Sequence, residues 1–120
     1  MAGKFCMSLT HAKDDADRAT VAFVVANAAV ASDKDSLMFL STEGVRLCQK
    51  GYADDIHEDG FAPLKELMDG FVGAGGVIWV CSPCFKKRGL DESNLIDGVT
   101  IVGGAKLVEF LSDGSPSVCY

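Results

Sequence analysis

Short continuous apolar runs alternate along the chain with segments whose apolar residues recur at helical spacing. Residues 4–9 form an apolar run that predicts a buried strand. A loop over 8–13 follows. Asp14 and Asp15 then open a helix that continues to Ala31, with Asp14, Asp15 and Asp17 at the positive end of its dipole. Residues 37–41 predict a second strand, and 43–50 a short helix closed by Gly51. The polar stretch 52–60 reads as a loop. Phe61, Leu64, Leu67, Met68, Phe71 and Val72 share a helical spacing, with Pro63 acceptable in the first turn. Four small residues, 73–76, end that helix. Val77-Ile78-Trp79-Val80 is the most strand-like segment, and Cys81-Ser82-Pro83-Cys84 follows it directly into a short basic helix beginning near Pro83. A strand over 99–102, a helix over 105–111 and an edge strand over 117–120 complete the pattern.

Strands that alternate with helices and read as continuous apolar runs predict an α/β fold, a three-layer α/β/α arrangement around a mostly parallel sheet. Ligand sites in such sheets lie at the carboxyl ends of the strands. Three loops then converge on one edge: 8–13, 41–44 and 81–84. The first helix adds a separate expectation. Residues 21–30 leave almost no polar face, and a helix that is apolar all round must be buried. The reading is that it packs against another subunit.

Length allows one domain over 1–120, large enough to bury roughly two-thirds of its unfolded surface. Acidic residues outnumber basic ones 17 to 11, a net charge of −6, which repels phosphate backbones and argues against nucleic-acid binding. The longest apolar stretch, 19–31, is too short to span a bilayer, which needs about 20 residues. Met1 to Phe5 carries no basic segment leading into an apolar leader. A cytoplasmic protein is therefore expected, and there paired cysteines read as metal-binding or redox-active before structural.

Five cysteines cannot form a closed disulfide set. Position divides them. Cys6 alternates within the first strand and Cys48 lies on a packed helical face, so both read as core. Cys119, next to the C-terminus, reads as a tail thiol, either mobile and reaching a neighbouring subunit or simply disordered. Cys81 and Cys84 carry the chemistry. A thiolate is the reactive form of cysteine, and a helix start or nearby cations lower a thiol pKa. Lys86, Lys87 and Arg88 form the one tight basic cluster of an acidic chain. Three chemistries compete for the pair. Thioredoxin-like exchange places its motif earlier in the chain and faces it with a later proline, a role Pro116 is too late to fill. Structural zinc needs four ligands, and no second pair has metal spacing, so no metal or cofactor is expected. The third is a reactive cysteine that carries sulfur as a persulfide, with the second thiol able to resolve it. Thr10, His11 and Glu43 lie in loops on the same edge and are candidate binding residues, with Lys87 and Arg88. His57 sits in an acidic loop and reads as solvated. Gly73-Ala74-Gly75-Gly76 precedes its strand, whereas a dinucleotide loop follows one.

The ordered set of landmarks resembles the DsrE/DsrF-like family, which includes the TusD-type sulfur-relay subunits and small proteins described as predicted peroxiredoxins. The resemblance rests on Ser8-Leu9-Thr10, then Asp14 to Ala19, then Glu43-Gly44-Val45-Arg46-Leu47, then residues 77–84 with Lys87-Arg88-Gly89-Leu90. It implies a doubly covered parallel sheet of about five strands and homotrimers or homohexamers. Cys81 matches the sulfur-accepting cysteine, and Arg88-Gly89 match the pair that follows it. Cys84 matches the second cysteine of the predicted-peroxiredoxin branch, which the TusD type lacks. The expected function is sulfur handling at Cys81 with a donor or acceptor protein as partner. Its rivals are a thiol–disulfide or peroxide-reducing protein and an oligomeric binding or assembly module without catalysis.

Overall fold

The computed structural model describes residues 3–120. Five strands, β1 (Lys4–Leu9), β2 (Asp35–Leu40), β3 (Val77–Cys81), β4 (Val99–Val102) and β5 (Ser117–Cys119), form one all-parallel sheet in the order β4-β3-β2-β1-β5. Alternate side chains go to opposite faces, because successive Cβ atoms in a strand point opposite ways. Met7, Leu9, Met38, Leu40, Ile78 and Val80 join the larger core with α1 (Ala16–Ala31), α2 (Leu64–Gly73) and Phe85 of α3 (Ser82–Lys87). Cys6, Leu37, Phe39 and Val102 form a smaller core under α4 (Gly104–Leu111), against Trp79, Leu107, Phe110 and Leu111. The fold is the predicted three-layer α/β class, with the two helical layers unequal in size. The predicted edge strand over 117–120 is present as Ser117–Cys119, tied to β1 by register, with Tyr120 beyond it.

The first helix explains its own composition. Asp15 is its N-cap and accepts from the Arg18 backbone N–H at 3.0 Å, after a 3₁₀ turn over Lys13–Asp15. One side of α1 packs on the sheet. A second side packs on α2, where Phe23 meets Phe71 edge-to-face at 6.0 Å. Between the two helices, the Asn27 amide donates to Phe23 O at 2.8 Å and Leu67 O at 2.9 Å. Buried Thr20 is satisfied by Ala16 O at 2.7 Å. Neighbours inside the chain thus cover two sides, leaving Val24, Ala28 and Ala31 as the exposed strip. A second subunit is not required to account for the apolar sequence.

Two departures from expectation have a visible cause. The predicted helix over 43–50 is a 3₁₀ segment, Thr42–Cys48. Its start is pinned: Thr42 adopts φ 48°, and its hydroxyl donates to Thr10 O at 2.7 Å. Gly44 lies so close to β1 that an added Cβ would meet Leu9 O at 2.4 Å. A chain held at both places winds tightly instead of entering an α-helix. The second helix begins at Leu64 and not at Phe61, because Pro63 is extended at ψ 139° as its N-cap. Among the described residues, no helix is long and apolar enough to cross a membrane.

Candidate functional site

Cys81 is the last residue of β3, in register with Val102 of β4, and it is the N-cap of α3. The chain leaves β3 toward the larger core through Phe85 and leaves β4 toward the smaller core through α4. Adjacent parallel strands whose connections depart to opposite faces open a crevice at their carboxyl ends, where α/β proteins bind ligands. Cys81 stands at that point and touches both cores. Cys84 follows one helical turn later. Both thiols are free and half-buried.

A helix start and a following basic run predict a lowered Cys81 thiol pKa. The structure reverses that direction. Burial, first, pushes the thiol up, and the neighbouring Cys84 thiol pushes it further. The Cys84 backbone N–H and the Arg88 charge act downward and do not overcome this. Cys81 therefore rests as a protonated thiol at neutral pH. The reason is where the cations lie. Lys86 and Lys87 are exposed on the far turn of α3. Among the described residues, Lys87 makes no hydrogen bond or ion pair, so it is not brought into the site. Arg88 alone folds back.

Arg88 is held by a network that reaches across 45 residues of sequence. Its Nε donates to Glu43 Oε2 at 2.7 Å, and its Nη1 to Cys84 O at 3.2 Å. The other carboxylate oxygen of Glu43 accepts from Arg46 Nε at 2.8 Å. Hydrogen bonds from Arg88 and then Arg46 hold the Glu43 pKa below the usual carboxylate range. The Arg88 side chain is only 14 % exposed, so this pairing fixes it in place. Sequence reasoning named Glu43 and Arg88 and missed Arg46 as a site residue. The Glu43–Arg46 spacing of three residues was the available signal.

The remaining candidates have other duties. Thr10 donates its hydroxyl and its backbone N–H to Tyr120 O, each at 3.0 Å, which ties β1 to the segment after β5. Its own carbonyl receives the Thr42 hydroxyl, so Thr10 positions the loop that carries Glu43. His11 Nδ1 pairs with Asp14 Oδ2 at 2.7 Å and closes the turn before α1. Neither is hydrogen-bonded to Cys81 or Cys84. His57 bonds Phe61 O at 2.8 Å within its loop. Cys6 and Cys48 are core residues as expected, both pushed up to about 11 by burial. An open cleft of about 600 Å³ against α2, lined by Lys50, Lys65, Met68 and Ile96 among others, contains none of the candidate residues.

An all-parallel α/β sheet with a CxxC pair at the switch point defines the class. The model of the DsrE/DsrF-like family matches residues 3–117, and the chain belongs to that family. It is 28% identical over 117 residues to the uncharacterized protein MJ0989 of Methanocaldococcus jannaschii, covering 98% of this chain and 99% of that one. It is 29% identical over 103 residues to the uncharacterized protein MJ0760 of the same organism, covering 86% of this chain. There it spans only 38% of the relative's length. Among solved structures, the ychN protein of E. coli superposes with a TM-score of 0.82 at 18% identity, covering 98% of this chain and 99% of that one. MTH1491 of Methanobacterium thermoautotrophicum superposes over the whole of both chains with a TM-score of 0.69 at 14% identity. At those identities the likeness establishes the fold.

Proposed function

We propose that the protein handles sulfur, with Cys81 accepting a sulfur atom as a persulfide and Cys84 resolving it. The observation that supports this most is the pair of free, half-exposed thiols at the switch point, one helical turn apart, with a fixed guanidinium on the Cys84 carbonyl. In the accepting step the Cys81 thiolate attacks the terminal sulfur of a donor persulfide. A new S–S bond forms on Cys81, and the donor leaves as its thiolate. In the resolving step the Cys84 thiolate attacks the Cys81 sulfur. Hydrosulfide leaves, and a Cys81–Cys84 disulfide remains for a dithiol reductant to reopen. The donor or acceptor is a second protein, and the working unit is a cytoplasmic homotrimer or homohexamer.

Incubation with a cysteine desulfurase and cysteine, followed by mass spectrometry, tests the reading. Wild-type protein gains about 32 Da, one sulfur atom, at Cys81. Cys84→Ser retains that adduct longer, and Cys81→Ser never acquires it. If Cys81 stays unloaded where a known carrier loads, the reading fails.

A second reading, thiol–disulfide exchange without a sulfur cargo, is favoured by the same spacing of two free thiols one helical turn apart. It predicts an internal disulfide on mild oxidation that Cys84→Ser abolishes, in protein that never gains sulfur.

A further inference from the structure

The turn that presents Glu43 is unusually constrained for a surface loop. Thr42 is one of two described non-glycine residues with positive φ, at 48°. A β-branched residue there is strained, and such strain persists only where surrounding contacts over-determine it. Here they do. The Thr42 hydroxyl donates to Thr10 O, and Gly44 is pressed onto Leu9 O. Ser41 N donates to the same Leu9 oxygen at 3.1 Å. What the turn delivers is a single carboxylate shared by two guanidiniums, one of which also grips the Cys84 carbonyl.

We propose that Glu43 is a positioning residue for the Cys81–Cys84 pair: its carboxylate, set by the strained 42–44 turn, fixes Arg88 beside the two thiols so that negative charge on sulfur is steadied. The inference rests on reading Cys81 as the reactive sulfur. Arg88 has five N–H donors and uses one on Glu43 and one on Cys84 O, so it keeps donors for a thiolate or a persulfide anion. Without Glu43 nothing else in the network holds its Nε. Arg46 shares the carboxylate and prevents it from wholly cancelling the Arg88 charge. The groups that bear on the charge of Cys81 are Cys84 and Arg88, from α3 and the residue after it. β2, β4 and α4 contribute uncharged neighbours, among them Phe39, Val102 and Leu107, with Cys6 the titratable one in that cluster. Glu43 and Arg46 reach Cys81 from the 3₁₀ segment only through Arg88.

The test is the pH profile of Cys81 alkylation, read peptide by peptide by mass spectrometry. Arg88→Gln raises the midpoint by about one pH unit, the loss of one nearby cation. Glu43→Gln raises it in the same direction. The double variant is shifted no further than Arg88→Gln alone, because a residue acting through another adds nothing once that other is gone. A Glu43→Gln midpoint that stays in place, or falls, overturns the proposal. So does a double variant whose shift is the full sum of the two. Circular dichroism checks folding; if Glu43→Gln does not fold, Glu43→Asp, too short to reach both guanidiniums, replaces it with the same expected direction and cycle. Alkylation needs no sulfur donor. Protein that fails to load sulfur but shows the coupled shifts refutes the function and leaves this inference standing, and the converse pattern does the reverse.

Discussion

Gly44→Ala isolates the constraint on which the site loop depends. Gly44 is buried and has no positive φ, so alanine is conformationally acceptable there. The whole cost is steric. The new Cβ would lie 2.4 Å from Leu9 O and 3.1 Å from Leu9 C, against a practical limit of 3.0 Å, so the turn must retreat by at least about 0.6 Å. The obstacle is backbone at the end of a core strand and has no rotamer to change. Retreat strains the bond from Ser41 N to that oxygen and the bond from Gly44 N to Ser41 O at 2.9 Å. Overpacking of this kind costs about 1–3 kcal/mol, and weakening a backbone hydrogen bond adds about 1. Restricting the unfolded chain returns about 0.4–1. The expected net loss is about 1–3.5 kcal/mol, read as a lower urea midpoint at unchanged slope. Gly73→Ala is the control: it ends α2 with nothing within 4 Å, so it should be neutral or stabilising by about 0.5 kcal/mol. If Gly44→Ala falls within about 0.5 kcal/mol of wild type, the close approach is not what shapes the loop.

Two further outcomes follow from burial. Cys6 and Cys48, both pushed up to about 11 by burial, should resist iodoacetamide in native protein at pH 8 and react fully on unfolding. Because the folded state keeps protons that the unfolded state releases, stability should fall as pH rises from about 9 toward 11, by up to about 3 kcal/mol per thiol; equal urea midpoints at pH 8 and 10.5 would contradict this. Phe71→Ala removes a fully buried ring packed on Phe23 and over Gly76, and should cost about 3–5 kcal/mol in thermal or urea unfolding; a loss below about 1 would show that the larger core is not centred there.

Much of the sheet is legible because parallel strands covered on both faces are written as apolar runs. The 99–102 strand is found without error, and the first strand and the third differ from expectation by at most one residue. What periodicity does not carry is the identity of the cover. The apolar circumference of α1 is compatible with a second subunit or with a second helix of its own chain, and the pattern 21–30 reads the same in both cases. The contacts that supply a cover from within the chain, Phe23 on Phe71 and Asn27 on Leu67 O, join residues more than 35 positions apart. The 3₁₀ segment fails for a related reason. Its winding is set by Thr10 and Leu9, which pack against it from a strand 30 residues earlier.

The basic run after the CxxC pair carries its geometry in the spacing of its residues. At 100° per residue from Cys81, Cys84 lies at −60°, Phe85 at +40° and Arg88 at −20°, on one stripe; Lys86 and Lys87 lie at 140° and 240°, on the other side. Helical geometry alone therefore selects Arg88 as the cation that shares a face with both thiols, and the structure agrees, with Arg88 mostly buried against Cys84 and both lysines exposed. Counting three adjacent positive charges overstated the field at Cys81; only one of them turns toward it. That single cation does not outweigh the burial of the thiol, which is why the pKa direction came out opposite to the composition. It also makes the placement of that cation matter more: with one guanidinium to stabilise a sulfur anion, a carboxylate that fixes its position has more influence on the thiol than the two exposed lysines on the other side of the helix.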